Sequence, residues 1–282
     1  MSRALVLLIV VFVFASYIAV FDVMWKERAQ IRLETKSGYV LPSQFNRILS
    51  FGNKGLLADF QFLKLTTFLG ERSLLGRKLT EEDWRYFVSS VDSITDLDPY
   101  FVDPYFLAEG FLTWETGKFE DANRLLKRGV QYRDWDWRLP YFVGFNYFYF
   151  LHDYEKGAEY VMKAAQISGS PDFLPTLASR LAYYGGQSRT AVLFIKGMLS
   201  ETTNVHLRQA LTLRLQALEG AVMIEGAIQK FKADYGRLPK KGELVSAGYL
   251  KKMPVDPYGG EWVLNKEGRV FSTSKFTKIN QK

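Results

Sequence analysis

A recurring segment constrains the fold of this chain more than any other feature. Segments of similar pattern begin at Gly117, His152 and Gly186, which lie 35 and then 34 residues apart. Each segment closes on a small residue, and these residues are Ala122, Gly157 and Ala191. A period in the mid-thirties is typical of stacked helical hairpins, whose helices approach closely where side chains are small. The interval therefore predicts an array of helix pairs, with a further close approach at Gly110.

The array resembles the tetratricopeptide repeat (TPR) over about Val102 to Ser200, most clearly at Gly110, Gly117, Phe119 and Ala122. The likeness is looser in the second and third repeats, where the family's first-helix tryptophan and tyrosine are displaced or replaced. In this family, fixed positions of each first helix line a groove that binds protein partners. Carried over to this chain, the groove positions are Leu107, Phe111, Trp114, Phe142, Asn146, Tyr149, Phe150, Thr176, Arg180, Tyr183 and Tyr184.

Most of these aromatic positions also suit a buried core, so both interpretations stay open for them. Asn146 and Arg180 are more informative, because burying a polar group without a partner costs about 1–3 kcal/mol. Each is therefore expected to face water or to bond to a partner. Lysine does not dominate the positions, so capture of an acidic peptide terminus is not predicted. An amphipathic or extended apolar peptide suits such a groove better.

The N-terminal run Ala4–Phe21 holds 18 residues without a charge. A helix of that length rises about 27 Å, close to the ~30 Å of the hydrocarbon core. A cleaved signal peptide is the alternative, but the two alanine-containing triplets around Tyr17 place that bulky residue where a small one is required. We therefore expect an uncleaved anchor in a lipid bilayer. Its orientation stays open, because Lys26 and Arg28 favour a cytoplasmic soluble part, whereas the very short basic tail is typical of anchors that export it.

The chain changes character after a long amphipathic stretch over Val205–Tyr235. Glu261–Leu264 and Arg269–Ser272 predict two strands joined through Gly268, which tolerates a positive φ. The string from Tyr235 to Gly260, with its Leu-Pro, Met-Pro and Asp-Pro steps, resembles the globular part of type II secretion pseudopilins. It departs from that family in lacking the prepilin cleavage site, the fifth-position glutamate and the acidic calcium loop. No metal is therefore expected, and the segment is either a cap on the last helix or an interaction module.

Several function classes find no support in the composition. The chain contains no cysteine, which excludes thiolate metal sites and cysteine nucleophiles. Its two histidines, His152 and His206, belong to no metal-ligand pair and to no nucleophile–base pattern. The net charge of +7 is dispersed among acids, which does not favour a nucleic-acid surface. We expect neither an enzyme nor a cofactor.

Together these patterns predict a mainly α fold: an N-terminal transmembrane helix, a TPR-like α-hairpin solenoid and a small C-terminal α/β cap with a β-hairpin. The expected domains are a membrane anchor (1–25), juxtamembrane and partial-repeat helices (26–100), TPR-like repeats (101–203), and the long helix with its cap (204–282). The expected function is a protein–protein interaction scaffold of the bacterial inner membrane with its soluble part on the extracytoplasmic side. A type IV pilus or type II secretion machine is the first expected context. A transporter accessory subunit and an aromatic-groove binder of lipid or cell-wall ligands are the alternatives.

Overall fold

The computed structural model describes residues 12–26, 38–76 and 78–277, which divide into two compact units, Met1–Leu97 and Asp98–Lys282. The described part is mainly helical and ends in a two-stranded sheet, which confirms the predicted fold class at that level. Residues 12–26 are helical and are designated α1. The later helices of the first unit are α2 (Ser43–Leu49), α3 (Lys54–Leu74) and α4 (Glu81–Leu97).

The predicted anchor Ala4–Phe21 falls only in part within the described residues, since 4–11 lie outside them. The helix that continues through 12–26 carries exposed apolar side chains, including Phe14, Ile18 and Trp25. Within the described ranges, no helix combines the length and the apolar character needed to cross a bilayer.

The first unit is built on α4, against which both α2 and α3 pack. Helix α4 begins with a reciprocal capping box, in which the Thr80 hydroxyl accepts from the Asp83 amide (3.2 Å) and the Asp83 carboxylate accepts from the Thr80 amide (2.9 Å). Arg72 of α3 also donates to Asp83 (2.9 Å), which ties the two helices together. The apolar core between them contains Ala58, Leu65 and Leu69 of α3 and Phe87, Val91 and Ile94 of α4.

The second unit opens with three consecutive helix pairs, and each helix packs against the next in chain order. The pairs are α5 (Asp103–Trp114) with α6 (Phe119–Tyr132), α7 (Arg138–Phe145) with α8 (Tyr154–Gln166), and α9 (Leu174–Tyr184) with α10 (Ser188–Glu201). A π-helical turn, Asn146–Phe150, extends α7. The second helices begin 35 and 34 residues apart, which is the interval of the recurring sequence segments.

Small residues allow the closest helix approach between α7 and α8. A Cβ atom at Gly144 would lie 2.7 Å from Val161 Cγ2, and one at Gly157 would lie 2.8 Å from Phe148 Cβ, both inside ordinary van der Waals contact. Glycine is therefore required there by packing. The close approach predicted at Gly110 is wrong, because that glycine is exposed and a Cβ atom would meet nothing within 4 Å.

A single long helix, α11 (Val205–Tyr235), follows the three pairs and packs on α9 and α10. The Asn204 side chain caps it by accepting from the amides of His206 (3.0 Å) and Leu207 (3.2 Å). It ends at Gly236, whose φ of 69° is the left-handed conformation common after a helix.

The chain ends in a short helix and a hairpin that pack on the C-terminal half of α11. Helix α12 (Glu243–Ser246) precedes strands β1 (Trp262–Leu264) and β2 (Val270–Ser272), which pair antiparallel with Val263 opposite Phe271. This confirms the predicted β-hairpin. The apolar cluster that joins these elements contains Ile224, Ala227, Ile228 and Phe231 of α11 with Leu244, Leu250 and Val270.

Candidate partner-binding surface

Four aromatic side chains of the first two helix pairs form one cluster, named here the aromatic cluster: Trp114, Phe145, Tyr149 and Phe150. The Trp114 ring lies at the end of α5, with its centroid 5.2 Å from that of Phe150, 6.2 Å from that of Tyr149 and 6.4 Å from that of Phe145. Phe145 and Tyr149 stack at 5.0 Å. These distances are those of favourable aromatic pairs.

The π-helical turn explains why adjacent aromatic residues reach the same cluster. Its wide turn places the Leu151 amide on the Asn146 carbonyl, five residues back, at 3.1 Å. Tyr149 and Phe150 then both contact Trp114, with their own rings 4.9 Å apart. Short π-helical segments occur frequently at functional sites in proteins.

The cluster is largely open to solvent. Trp114 is 61% exposed and Tyr149 is 52% exposed, whereas Phe145 and Phe150 are half-buried beside them. Phe119, the first residue of α6, supports the cluster by stacking on Phe150 at 4.6 Å. The result is an exposed apolar surface whose geometry is fixed by ring–ring contacts.

Three other predicted positions of the first two pairs are half-buried next to this surface. Leu107 and Phe111 lie on α5, seven and three residues before Trp114, which is the spacing of one helix face. Phe142 lies on α7, where its ring packs edge-on against Phe106 at 5.8 Å. These side chains contribute to packing as well as to the surface.

Asn146 does not lie on the exposed surface, contrary to the prediction. It is fully buried, and its Nδ2 donates to Asn123 Oδ1 of α6 at 3.1 Å. Of the two outcomes expected for a polar group in this apolar run, the structure has the bonded one. The Asn146 Oδ1 atom has no hydrogen-bond partner among the described protein atoms.

The third helix pair is covered by the chain itself, through residues 254–277, named here the C-terminal cap. The Tyr183 hydroxyl donates to the Val270 carbonyl at 2.6 Å, and its ring lies 4.5 Å from that of Phe276. Burial raises the pKa of the Tyr183 phenol far above its ordinary value. Arg269 donates to the carbonyls of Tyr183 and Tyr184 at the end of α9.

The remaining predicted positions of α9 lie near this covered region and are half-buried. The Thr176 hydroxyl donates to the carbonyl of Phe173 within its own helix turn, at 2.8 Å. Tyr184 packs against Phe271 of the cap at 6.2 Å. The structure therefore brings Trp114, Tyr149 and Phe150 together on an open surface and places Tyr183 in the interior.

Arg214 of α11 is a buried cation that the sequence did not single out. Its guanidinium donates to the Phe276 carbonyl at 3.0 Å and lies 5.1 Å from the Tyr258 ring, while its Nε and Nη1 atoms have no described partner. Burial lowers the pKa of Arg214, and the neighbouring charge of Arg180 lowers it further. The available signal was an arginine on the buried face of α11, between Leu211 and Leu218.

A cleft of about 700 Å³ lies among α6, the π-helical turn and the start of α8. The Lys127 ammonium donates to the Tyr147 hydroxyl at 2.8 Å and also lies 5.4 Å from the Tyr160 ring. Burial alone would lower the pKa of Lys127, but the contacts with Tyr147 and Tyr160 raise it, so the amine stays protonated. The cleft combines basic and acidic lining side chains, among them Arg124, Lys156 and Asp153.

Neither histidine takes part in a cluster with chemical potential. His152 is exposed in the turn between the π-helical segment and α8, and His206 is exposed in the first turn of α11. Among the residues that the structure describes, no group of three histidine, aspartate or glutamate side chains could hold a metal ion.

No family model, curated protein or solved structure matches the chain. The chemistry of the aromatic cluster, its exposure and its support from α6 therefore carry the functional conclusion.

Proposed function

We propose that this chain is a non-enzymatic, membrane-anchored scaffold that binds a protein partner through the aromatic cluster. The observation that carries the proposal is the exposure of Trp114 and Tyr149 on a surface fixed by the π-helical turn. Tryptophan and tyrosine are the residues that most often dominate binding energy at protein interfaces.

The exposed area is sufficient for a hot spot. With 61% of Trp114 and 52% of Tyr149 exposed, complete burial would remove roughly 250 Å² from water, or about 6 kcal/mol before association costs. An apolar side chain of the partner is the natural occupant, because the rings offer faces and edges and few polar atoms. An amphipathic helix or an extended peptide with aliphatic or aromatic anchors fits this chemistry.

The C-terminal cap restricts where the partner docks. Tyr183 of the third helix pair bonds to the cap, so a ligand of that region would have to displace the hairpin. We therefore place the docking surface on the first two helix pairs, which the TPR resemblance also assigns to the groove.

The cellular context is proposed from the sequence. The apolar run Ala4–Phe21 supports attachment to the bacterial inner membrane. The pseudopilin-like segment after Tyr235 supports an extracytoplasmic position and an accessory or assembly role in a type IV pilus or type II secretion machine. A reporter enzyme fused after Lys282 tests the sidedness, since activity only on the cytoplasmic side would overturn this placement.

Site-specific cross-linking tests the docking surface directly. A photo-reactive residue replacing Tyr149 in cells should capture a protein component of an envelope machine. Capture of lipid or cell-wall material alone would favour the small-ligand alternative, and recovery of a transporter permease would favour the transporter alternative.

Affinity for the captured partner then tests the mechanism. The variant Trp114→Ala with Tyr149→Ala should weaken binding at least tenfold, because truncation of a hot-spot aromatic costs about 2 kcal/mol or more. Trp135→Ala is the matched control, since Trp135 is comparably exposed (56%) but stacks on Tyr100 outside the cluster. Equal affinity of all three proteins for the partner would overturn the proposal.

A further inference from the structure

Helix α2 is inverted relative to an ordinary surface helix. Its buried residue is Asn46, whose Nδ2 donates to the Leu41 carbonyl (2.9 Å) and to the Ser93 hydroxyl of α4 (2.7 Å). Its apolar residues point outward instead, with Ile48 71% exposed and Phe45 more than half exposed. A helix that buries its amide and exposes its apolar side chains is expected to meet an apolar environment outside the unit.

The exposed apolar face continues along the chain beyond α2. Phe51, in the turn before α3, is 84% exposed and has a positive φ of 46°. Helix α3 then exposes Leu56, Phe60 and Leu63, at the i, i+4 and i+7 positions of one helix face. Its opposite face packs on α4, so α3 is apolar on two sides.

The size of this surface is unusual for a soluble unit. We name it the α2–α3 face; its residues are Phe45, Ile48, Leu49, Phe51, Leu56, Phe60 and Leu63. Together these side chains expose on the order of 700 Å² of apolar surface, above the few hundred Å² that monomeric proteins ordinarily leave uncovered. Both helices pack on α4, so this face points away from the core of the unit.

We propose that the α2–α3 face lies in the headgroup–acyl boundary of the bilayer, as a second membrane contact beside the anchor. This inference rests on the proposed anchor. Only 16 residues separate α1 from α2, so the chain can move α2 at most about 55 Å from the end of α1. The face is therefore held near any bilayer that contains Ala4–Phe21.

Charge and residue type favour lipid as the occupant. Lys54 and Lys64 are exposed on either side of Phe60, where long basic side chains can extend to anionic headgroups, and Asp59 is the one acid between them. The face is also broader than the two-position seam of a helix dimer, because it includes α2 and the turn as well as α3. A wide apolar face with aromatic residues is typical of helices that lie in the membrane interface.

Local labelling tests this contact in the full chain, which contains no native cysteine to interfere. The variants Ile48→Cys and Leu63→Cys are labelled with an environment-sensitive fluorophore and reconstituted into vesicles of phosphatidylcholine and phosphatidylglycerol. Ser89→Cys, at an exposed position of α4 outside the face, is the matched control. The labels at 48 and 63 should show blue-shifted emission and several-fold stronger quenching by doxyl-labelled lipid than the label at 89.

The alternative outcomes are distinct. Labels at 48 and 63 that are as accessible to aqueous iodide as the control would overturn the inference. Labels shielded from iodide but not quenched by doxyl lipid would show that protein covers the face, which overturns it as well. Flotation of the vesicles separates the two proposals: a chain that does not float contradicts the anchor too, whereas a floating chain with aqueous labels contradicts only the α2–α3 contact.

Discussion

The approach of α7 to α8 gives a sharp test of the packing in the second unit. In Gly144→Ala, the new Cβ atom would lie 2.7 Å from Val161 Cγ2, 3.0 Å from the Gly157 carbonyl oxygen and 3.1 Å from the Val161 amide nitrogen. Two of these atoms belong to the backbone of α8, so side-chain rotation cannot relieve the overlap and the helices must separate. Overpacking of this kind costs about 1–3 kcal/mol, and the improved helix propensity of alanine offsets only about 1 kcal/mol.

Gly110→Ala is the matched control, because it makes the same chemical change in a helix where the methyl group meets nothing within 4 Å. We expect it to raise the free energy of unfolding by about 0.5–1 kcal/mol. Gly144→Ala should lower it by about 2 kcal/mol, which corresponds to a melting temperature lower by about 4–8 °C for a unit of this size.

Thermal unfolding of the full chain in detergent, followed by far-UV circular dichroism, measures both variants under one condition. The expected result is a pair of shifts of opposite sign. Shifts of the same sign, or a Gly144→Ala protein as stable as the unchanged chain, would refute the close contact between α7 and α8.

Three further predictions concern buried polar groups. Burial raises the pKa of Glu109 to about 7, so the folded state holds this proton more tightly than the unfolded state and stability falls as pH rises from about 4.5 to 7; Glu109→Gln should remove about 3 kcal/mol of this loss, measured by urea unfolding near pH 5 and pH 8. Asp256 accepts from two buried serine hydroxyls and two backbone amides, so Asp256→Ala should destabilise the cap by about 2–4 kcal/mol and speed hydrogen exchange in β1 and β2 but not in α5–α8. Thr80→Ala removes the cap of α4 and should cost about 1 kcal/mol in urea unfolding, whereas Thr67→Ala on the exposed face of α3 should change stability by less than about 0.5 kcal/mol.

Local pattern was sufficient to place the helices of the second unit. The spacing of the recurring segments matches the starts of α6, α8 and α10, and the apolar stretch over Val205–Tyr235 has the bounds of α11. These features depend on helical periodicity and on turn residues that the sequence displays directly. Gly110 was misjudged because a glycine under a crossing helix and a glycine facing solvent look alike in one sequence.

The candidate surface was predictable only where it depends on helix geometry. Trp114 and Tyr149 follow from their positions on the first helices, and the structure places both on the exposed surface. The π-helical turn was not predicted, because one extra residue in a helical turn leaves no periodic signature, and it is this turn that contains the buried Asn146. The burial of Tyr183 depends on a hydrogen bond to Val270, 87 residues later in the chain, which no local pattern reports.

The two exposed apolar surfaces differ enough in chemistry to require different occupants. The aromatic cluster is compact and is held by ring–ring contacts to α5 and α6, so it can bind one shaped side chain with specificity. The α2–α3 face is broad, mixes aliphatic with aromatic side chains and carries lysines at its margins, so it discriminates little among apolar partners and suits a fluid surface. Substitutions in one surface should therefore leave the other's binding unchanged. A protein ligand that protected labels on both surfaces together would contradict this division, because it would show that a single partner spans the two units.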